Sequence, residues 1–298
     1  MVRNRKITYI FSGILVATSF LALLIWGLKP GIDFIGGSLL EIEYKDVRPD
    51  IDQIQKIVNE LGLGNALVQS AGEKGVIIRL KDLSQEEHQK LLSVLAIGGA
   101  QLEEKRFDSI GPIIGKELRR KSWIAIGLVV LMIILYIAWV FRKVSKPVAS
   151  WKYGVAAVLA LIHDVSIPSG LFAALGHFKG VEVDVLFITA LLTTLGFSVH
   201  DTIVVFDRIR ENLKKQVGKS FEDTVELSIR QTMRRSVITS LTVIFVLVAL
   251  LIFGSASTKY FSLTLIVGVT FGTYSSIFLA SPFLVSWQKW QEKRNIKR

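Results

Sequence analysis

The sequence predicts an α-helical membrane protein with six transmembrane helices and one α+β domain between the first and the second. Hydrophobic residues make up 51% of the 298 residues, and the mean hydropathy is +0.47. The apolar residues run in blocks and the charged residues cluster between them, whereas a soluble chain of this size spreads its charges evenly. Most blocks approach the roughly twenty residues that an α-helix needs to cross a bilayer.

Six apolar blocks predict the spans. In chain order they are Tyr9–Leu28, Trp123–Phe141, Tyr153–Leu175, Val185–Phe206, Val237–Phe253 and Phe261–Trp287. The first block follows basic residues, as the core of a signal peptide does, but it is about twenty residues long and no small-residue cleavage site follows it. We therefore interpret it as a retained anchor.

Basic residues predict the orientation. They gather at the two termini and in two connections, as Arg3, Arg5, Lys6, Arg142, Lys143, Lys146, Lys152, Arg208, Arg210, Lys214, Lys215, Lys219, Arg230, Arg234, Arg235, Lys289, Lys293, Arg294, Lys297 and Arg298. The two short opposite connections carry one each, Lys179 and Lys259. Because basic residues collect on the cytoplasmic side, we expect both termini in the cytoplasm. The net charge of +11 then reflects topology in a cytoplasmic (inner) membrane, not nucleic-acid binding.

Four segments follow from these spans. Residues 1–28 form the N-terminal segment and first helix, and residues 29–121 form a periplasmic domain. Residues 122–287 form a five-helix bundle with a cytoplasmic loop at 207–236, and residues 288–298 form a basic cytoplasmic tail. Within the loop, Ser220–Leu227 predicts an amphipathic helix on the membrane surface.

The large outer segment alternates strand and helix patterns. These are a strand at Leu39–Tyr44, a helix at Ile51–Leu61, a hairpin joining Ala66–Ser70 to Val76–Leu80, a helix capped by Ser84, and a strand at Gln101–Phe107. Glu87, three residues after Ser84, completes a capping box. The order β-α-β-β-α-β is that of the ferredoxin-like split motif. Such a domain is either a binding or gating module or a packing lid.

One acid, Asp201, lies inside the apolar fourth span. Thr194, Ser198, Asp201 and Arg208 share a helical face that must point into the bundle. A charged side chain at the centre of a spanning helix costs about 2.5–3.5 kcal/mol on insertion scales. Asp201 avoids this cost by binding a proton or by pairing with a cation, and a group that alternates between the two is a proton relay. An aspartate that stays protonated or paired and only holds helices together is the alternative.

Two acid–histidine pairs occur at depth. His163 precedes Asp164 in the third span, and His200 precedes Asp201 in the fourth. A single buried histidine more often serves packing than proton transfer, but an adjacent acid favours a relay.

Arg235 is the candidate cation for Asp201. It lies at the membrane edge of the fifth span, on one face with Thr239, and its long side chain could reach inward. Retention of positive charge on the cytoplasmic side is the alternative reading. The hypothesis is that both acid–histidine pairs and Arg235 line one polar track.

Six short motifs stand in order at matching topological positions. They are Gly31 to Gly37 with Gly36 and Gly37, Ile110 to Leu118 with Gly111 and Gly115, Leu161 to Val165, Gly196 to Asn212 with Ser198 and Thr202, Arg235 to Ser240 with Thr239, and Gly272 to Ser276 followed by Ala280, Ser281 and Pro282. Together they resemble the SecF members of the SecD/SecF family, in the resistance-nodulation-division superfamily, along nearly the whole chain. His200 stands where the family more often has asparagine.

The resemblance implies a role in the Sec pathway of protein transport. Such subunits pair with SecD, a larger six-span homologue, and join the SecYEG channel, with YajC and a YidC-like insertase as further expected neighbours. They use proton flow to help preproteins across after the ATP-driven step. Asp201 would be the proton-carrying acid and Arg235 its basic partner, with the motif glycines and hydroxyls packing helices against one another and against lipid. No cofactor or metal is expected, and the coupling ion is H⁺ or Na⁺.

Three functions compete on these observations. The first is a subunit of a motor driven by the proton motive force, and the second is a structural subunit whose buried charges only hold partners together. The third is half of a small-molecule exporter of the same superfamily, which would need a second half. No sequence pattern of a nucleotide-binding or hydrolytic enzyme is present, so a transport subunit is expected rather than an enzyme.

Overall fold

The computed structural model describes residues 2–64, 66–96, 99–142 and 148–296. Four of the predicted cytoplasmic cations, Lys143, Lys146, Lys297 and Arg298, lie outside these residues. The chain divides into two compact units, one of Met1–Lys29 with Ala125–Arg298, and one of Pro30–Ile124. We describe each unit by itself.

Six helices are long and apolar enough to cross a membrane, which confirms the predicted number of spans. After a 3₁₀ turn at Val2–Asn4, the membrane helices are α1 (Arg5–Trp26), α5 (Pro112–Val140), α6 (Ser150–Lys179), α7 (Val185–Lys214), α8 (Phe221–Phe253), and α9 (Ala256–Ser275) continued by a π-helical segment (Ser276–Ala280) and α10 (Ser281–Ile296). Most exceed the predicted spans because polar caps and ion pairs lengthen them. Asp184 caps α7 by accepting from the amide of Phe187 at 2.8 Å.

The Pro30–Ile124 unit is a four-stranded antiparallel sheet with two helices. After the short α2 (Ile32–Ile35), its elements are β1 (Gly37–Tyr44), α3 (Ile51–Glu60), β2 (Leu67–Ala71), β3 (Gly75–Leu80), α4 (Gln85–Leu95) and β4 (Leu102–Ile110). The strand order is β2-β3-β1-β4, and a bulge interrupts the β1–β4 register after Glu41. Every predicted strand and helix of this unit is present within about three residues of its predicted ends.

One face of this sheet and both helices bury a shared core. Leu40, Ile42 and Ile78 alternate toward the helices, where Ile54 and Leu91 meet them. The predicted capping box is confirmed, because the hydroxyl of Ser84 accepts from the amide of Glu87 and the carboxylate of Glu87 accepts from the amide of Ser84. The hydrogen bond from the Ser84 amide to the Glu87 carboxylate lowers the pKa of Glu87, and the ammonium of Lys81 lowers it further.

In the bundle, three helices form the centre and three the periphery. In the apolar stretch of α6 that is long enough to cross a membrane, two-thirds of the residues are buried. In the corresponding stretches of α7 and of α9–α10, about half are buried. In the apolar stretches of α1, α5 and α8, only 11%, 6% and 17% of the residues are buried. The outer three therefore present most of their surface to whatever surrounds this chain.

The 207–236 segment differs from its prediction as a loop. Helix α7 continues to Lys214, and α8 begins at Phe221 and runs unbroken to Phe253, so no separate surface helix exists at Ser220–Leu227. The reason is that the amphipathic stripe of that segment continues without glycine or proline into the apolar span. Its buried face packs on the end of α7, where Asn212 donates to Ser228 at 2.9 Å.

Candidate functional site

A row of small polar side chains marks the inward face of α7. Thr194, Ser198, Asp201 and Thr202 are all at least 93% buried, as the sequence predicted for three of them. Arg208, also predicted on this face, is more than a third exposed and pairs with Glu211 at 2.5 Å. The polar face is therefore buried only along the part of α7 that lies within the bundle.

Helix α9 approaches this row so closely that side chains would not fit. A Cβ on Gly268 would lie 2.9 Å from the Cβ of Thr194, and one on Gly272 would lie 3.1 Å from the Cβ of Ser198. Contacts under about 3.0 Å essentially do not occur for real Cβ atoms, so glycine permits the close approach of α7 and α9. Gly272 was among the predicted packing residues, and Gly268 was not.

Asp164 on α6 is completely buried and its two carboxylate oxygens are both satisfied. Its Oδ1 lies 2.8 Å from Nδ1 of His163. Its Oδ2 accepts from the hydroxyl of Ser198, and from that of Ser275 at 2.8 Å. The predicted His163–Asp164 pair is thus formed, and it joins α6 to α7 and α9.

The π-helical segment after Ser275 brings a second hydroxyl, that of Ser276, into the buried polar row. The hydroxyl of Ser276 lies 2.8 Å from that of Thr202 on α7, whereas Ser275 bonds Asp164 on α6, so two consecutive serines reach two different helices. A wider helical turn makes this possible, and such turns are frequent at functional sites. Pro282 follows and lacks the N–H that would bond Phe278, and the hydroxyl of Thr8 on α1 bonds that carbonyl instead, at 3.1 Å.

Asp201 differs from Asp164 because one of its oxygens has no partner. Oδ1 accepts from the hydroxyl of Ser236 on α8. Oδ2 is buried and has no hydrogen-bond partner in the described part of the chain. Ser240, one turn further along α8, contacts the carbonyl of Ser236 and the hydroxyl of Thr273 instead. Asp201 therefore has an open position for a proton or a cation.

Arg235 forms no direct ion pair with Asp201 among the described residues, so their pairing stays a prediction. Arg235 and Thr239 are exposed, whereas Ser236 is buried, and among the described residues no ion pair joins Arg235 to Asp201. Successive helical residues point about 100° apart. Burial of Thr232, Ser236 and Ser240 against α7 and α9 therefore turns Arg235 outward.

His200 is exposed for the same reason and does not share the buried site of Asp201. The single polar track predicted from Asp164, Asp201, His200 and Arg235 is not assembled within this chain. Instead, each buried acid has its own hydroxyl partners, and among the described residues no hydrogen bond joins Asp164 to Asp201. Ser236 was the missed residue, and the four-residue spacing of hydroxyls along α8 was the signal for it.

The glycines after the first span form a separate contact within the Pro30–Ile124 unit. A Cβ on Gly115 would lie 2.8 Å from the amide nitrogen of Gly36, and one on Gly36 would lie 2.8 Å from the Cα of Pro112. A Cβ on Gly37 would lie 2.6 Å from the carbonyl oxygen of Leu80. Gly111 has open space around it. Backbone thus packs directly on backbone where α2 meets the start of α5.

Two family models match the chain. The model described as "Protein export membrane protein SecD/SecF, C-terminal" matches residues 91–290, and the "SecD/SecF GG Motif" model matches residues 22–46. The protein translocase subunit SecF of Thermobaculum terrenum is 46% identical, covering 97% of this chain and 93% of the relative. That of Anaerolinea thermophila is 37% identical, covering 99% and 96%.

Two solved SecDF structures are also similar. The structure of SecDF from Thermus thermophilus has a TM-score of 0.83 and 31% identity, and the match covers 97% of this chain. A structure of SecDF in a super-membrane-facing form has a TM-score of 0.69 and 30% identity, covering 98% of this chain. The present chain spans only 38% and 39% of the length of those two chains.

Proposed function

Because the chain belongs to the SecF family of protein translocase subunits, we propose that it acts with a SecD-type partner to couple ion flow to late-stage preprotein translocation. Asp201 is the acid that exchanges the ion. Moving one charge through 100 mV supplies about 2.3 kcal/mol, enough to shift an equilibrium between two helix packings.

The single observation that carries this proposal is the unpartnered Oδ2 of Asp201. A buried carboxylate that lacks a partner is costly, so the site gains free energy when a proton or cation arrives there. Asp164, by contrast, has donors on both oxygens and needs no further ligand. Of the two buried acids, Asp201 is therefore the one suited to exchange.

The exposed face around Arg235 supports a SecD-type partner. Gly196 and His200 on α7, and Arg235 and Thr239 on α8, are exposed although both helices are otherwise strongly apolar. We call these four residues the partner face. Polar and ionisable groups at membrane depth are expensive against lipid and normally face protein. The greater length of the solved SecDF chains is consistent with a second subunit or segment beside this one.

The topology and neighbours are proposed with it. The Pro30–Ile124 unit lies on the periplasmic side as a ferredoxin-like domain, an assignment supported by its β-α-β-β-α-β order and its β2-β3-β1-β4 sheet. Both termini lie in the cytoplasm. The SecYEG channel, YajC, a YidC-like insertase and the preprotein are the proposed contacts of the assembled complex.

The test is Asp201→Asn, compared with Asp207→Asn, in vesicles carrying the full complex. Asp207 lies six residues further along the same helix, where its carboxylate is half exposed and pairs with Arg210 at 2.8 Å. We expect Asp201→Asn to lower gradient-dependent translocation at least tenfold while the ATP-driven step and SecD co-purification persist. Full gradient-dependent activity in Asp201→Asn would refute the proposal.

The coupling ion is distinguished in the same vesicles. We propose H⁺, and Na⁺ is the alternative because Oδ2 of Asp201 and the hydroxyl of Ser236 are both oxygen ligands. Replacing Na⁺ by choline at a constant proton gradient should leave the rate unchanged. A rate that follows Na⁺ and ignores the proton gradient would assign Na⁺ instead.

A structural role is the second candidate, favoured by the fully bonded Asp164. Its contacts with His163, Ser198 and Ser275 join three helices in the manner of an assembly element. If Asp201 served only this purpose, Asp201→Asn would weaken co-purification of SecD as much as it weakens translocation.

A further inference from the structure

We propose that a lateral groove between α5, α6 and α7 is a binding site for one lipid acyl chain. The groove has a volume of about 240 Å³. It is lined by Ile126 and Val130 from α5, Val158 and Ile162 from α6, and Leu191 and Leu192 from α7. This site is independent of the proposed ion exchange.

The lining is unsuited to water. Apart from the aliphatic side chains, the groove meets one hydroxyl, that of Ser166, which donates to the carbonyl of Ile162 in its own helix at 2.5 Å. Bound water needs two to four polar partners, and apolar cavities of about 150 Å³ stay dry and bind apolar ligands such as benzene. A groove of this size and lining therefore takes up hydrocarbon.

The position of the groove among the membrane helices indicates which hydrocarbon binds there. All three walls belong to membrane-spanning helices, so the apolar species that surrounds the groove is the acyl chain of a phospholipid. Leaving the groove empty would forfeit dispersion contacts along its whole lining.

The groove also lies behind the buried acid of α6. Its lining residues Leu161 and Val165 flank Asp164, and Leu195 lies one turn before Ser198 on α7. An acyl chain in the groove adds hydrocarbon on the far side of those residues.

The experiment uses the absence of cysteine in the natural sequence. Leu192→Cys, in the groove, and Leu128→Cys, an exposed position on α5, are each labelled with bimane on the full chain. The labelled proteins are reconstituted into phosphatidylglycerol–phosphatidylcholine vesicles whose acyl chains are brominated at mid-length. We expect bromine to quench the probe at 192 at least as strongly as the probe at 128.

A filling substitution then separates a bound chain from bulk lipid. Val158→Phe projects into the groove, and the neighbouring Leu159→Phe does not, because Leu159 is exposed and outside the lining. Quenching at 192 should fall at least twofold in Val158→Phe and stay unchanged in Leu159→Phe. Mass spectrometry of the intact chain in detergent should show one phospholipid lost only in Val158→Phe. If that variant does not fold, Val158→Leu provides the same test with a smaller side chain.

Three outcomes would overturn the proposal. An unquenched probe at 192 means that no acyl chain enters. Equal quenching with and without Val158→Phe means that only bulk lipid is near the probe. Quenching that is present in the isolated chain and lost on adding the SecD-type partner means that a protein side chain occupies the groove.

Discussion

Ser236 on α8 donates a hydrogen bond to Asp201 on α7, while its neighbour Arg235 points out of the bundle. The side chain that contacts Asp201 is therefore a neutral hydroxyl. The guanidinium of Arg235 lies instead on a surface that the described part of this chain leaves exposed. Within this chain, the charge of Asp201 is balanced by no ion pair among the described residues.

Removal of that hydroxyl tests its role directly. We expect Ser236→Ala to lower gradient-dependent translocation severalfold, because both oxygens of Asp201 then lack donors and the buried carboxylate loses about 1–3 kcal/mol of stabilisation. Ser236→Thr keeps a hydroxyl and should retain most activity. Thr270→Ala is the control, since the hydroxyl of Thr270 is exposed and donates to the carbonyl of Ile266 in its own helix. Equal rates for Ser236→Ala and Thr270→Ala would contradict this assignment.

The glycine contact within the Pro30–Ile124 unit predicts a stability difference between two alanine variants. Gly115→Ala should lower the free energy of unfolding by about 1–3 kcal/mol, because the new Cβ meets the backbone of Gly36 and neither helix can yield without moving. Gly111→Ala should be close to neutral, because nothing lies within 4 Å of its Cβ position. Thermal unfolding of the purified chain compares the two, and a similar loss in both would show that the close approach is unimportant.

Alanine substitutions at two glycines of the membrane helices distinguish contacts within the chain from contacts with a partner. Gly268→Ala should destabilise the isolated chain, because its Cβ would overlap Thr194 on α7. Gly196→Ala should leave the isolated chain unchanged, because its Cβ position is open. If the partner face is real, Gly196→Ala instead weakens co-purification of SecD. A destabilised Gly196→Ala chain, or one that binds SecD normally, would argue against that face.

The carbonyl of Phe278 accepts from Thr8 and lacks a helical donor at Pro282. We therefore expect the effects of substitutions at Thr8 and Pro282 on the free energy of unfolding to be coupled. Thr8→Val should cost about 1–2 kcal/mol, because the carbonyl of Phe278 loses the hydroxyl that donates to it from α1. Pro282→Ala restores a helical N–H to that carbonyl, so the same loss should be smaller in the Pro282→Ala background. A double-mutant cycle on unfolding measures this coupling, expected at about 0.5–2 kcal/mol. Strict additivity would mean that the two residues act independently.

The sequence predicted the elements well where chemistry is local. The capping box of Ser84 and Glu87 and the period-two pattern of β1 were readable because each depends on neighbours a few residues apart. Within the predicted 207–236 connection, the helix expected at Ser220–Leu227 does begin at Phe221, but it continues into the apolar span instead of ending as a separate helix. The structure shows that helices α7 and α8 extend beyond their apolar parts, held by Ser220 as a cap and by ion pairs such as Lys215 to Glu211 at 2.6 Å.

By itself, the sequence determined the six spans, the α+β unit and the inward polar face of α7, since each follows from length, period or the cost of a buried charge. Only the tertiary structure decided that Ser236 on α8, and not the adjacent Arg235, faces inward. The physical reason is that lipid and protein interior are equally apolar. A span that is hydrophobic all round does not specify its own rotation, and only the close approach of α7, α8 and α9 fixes it.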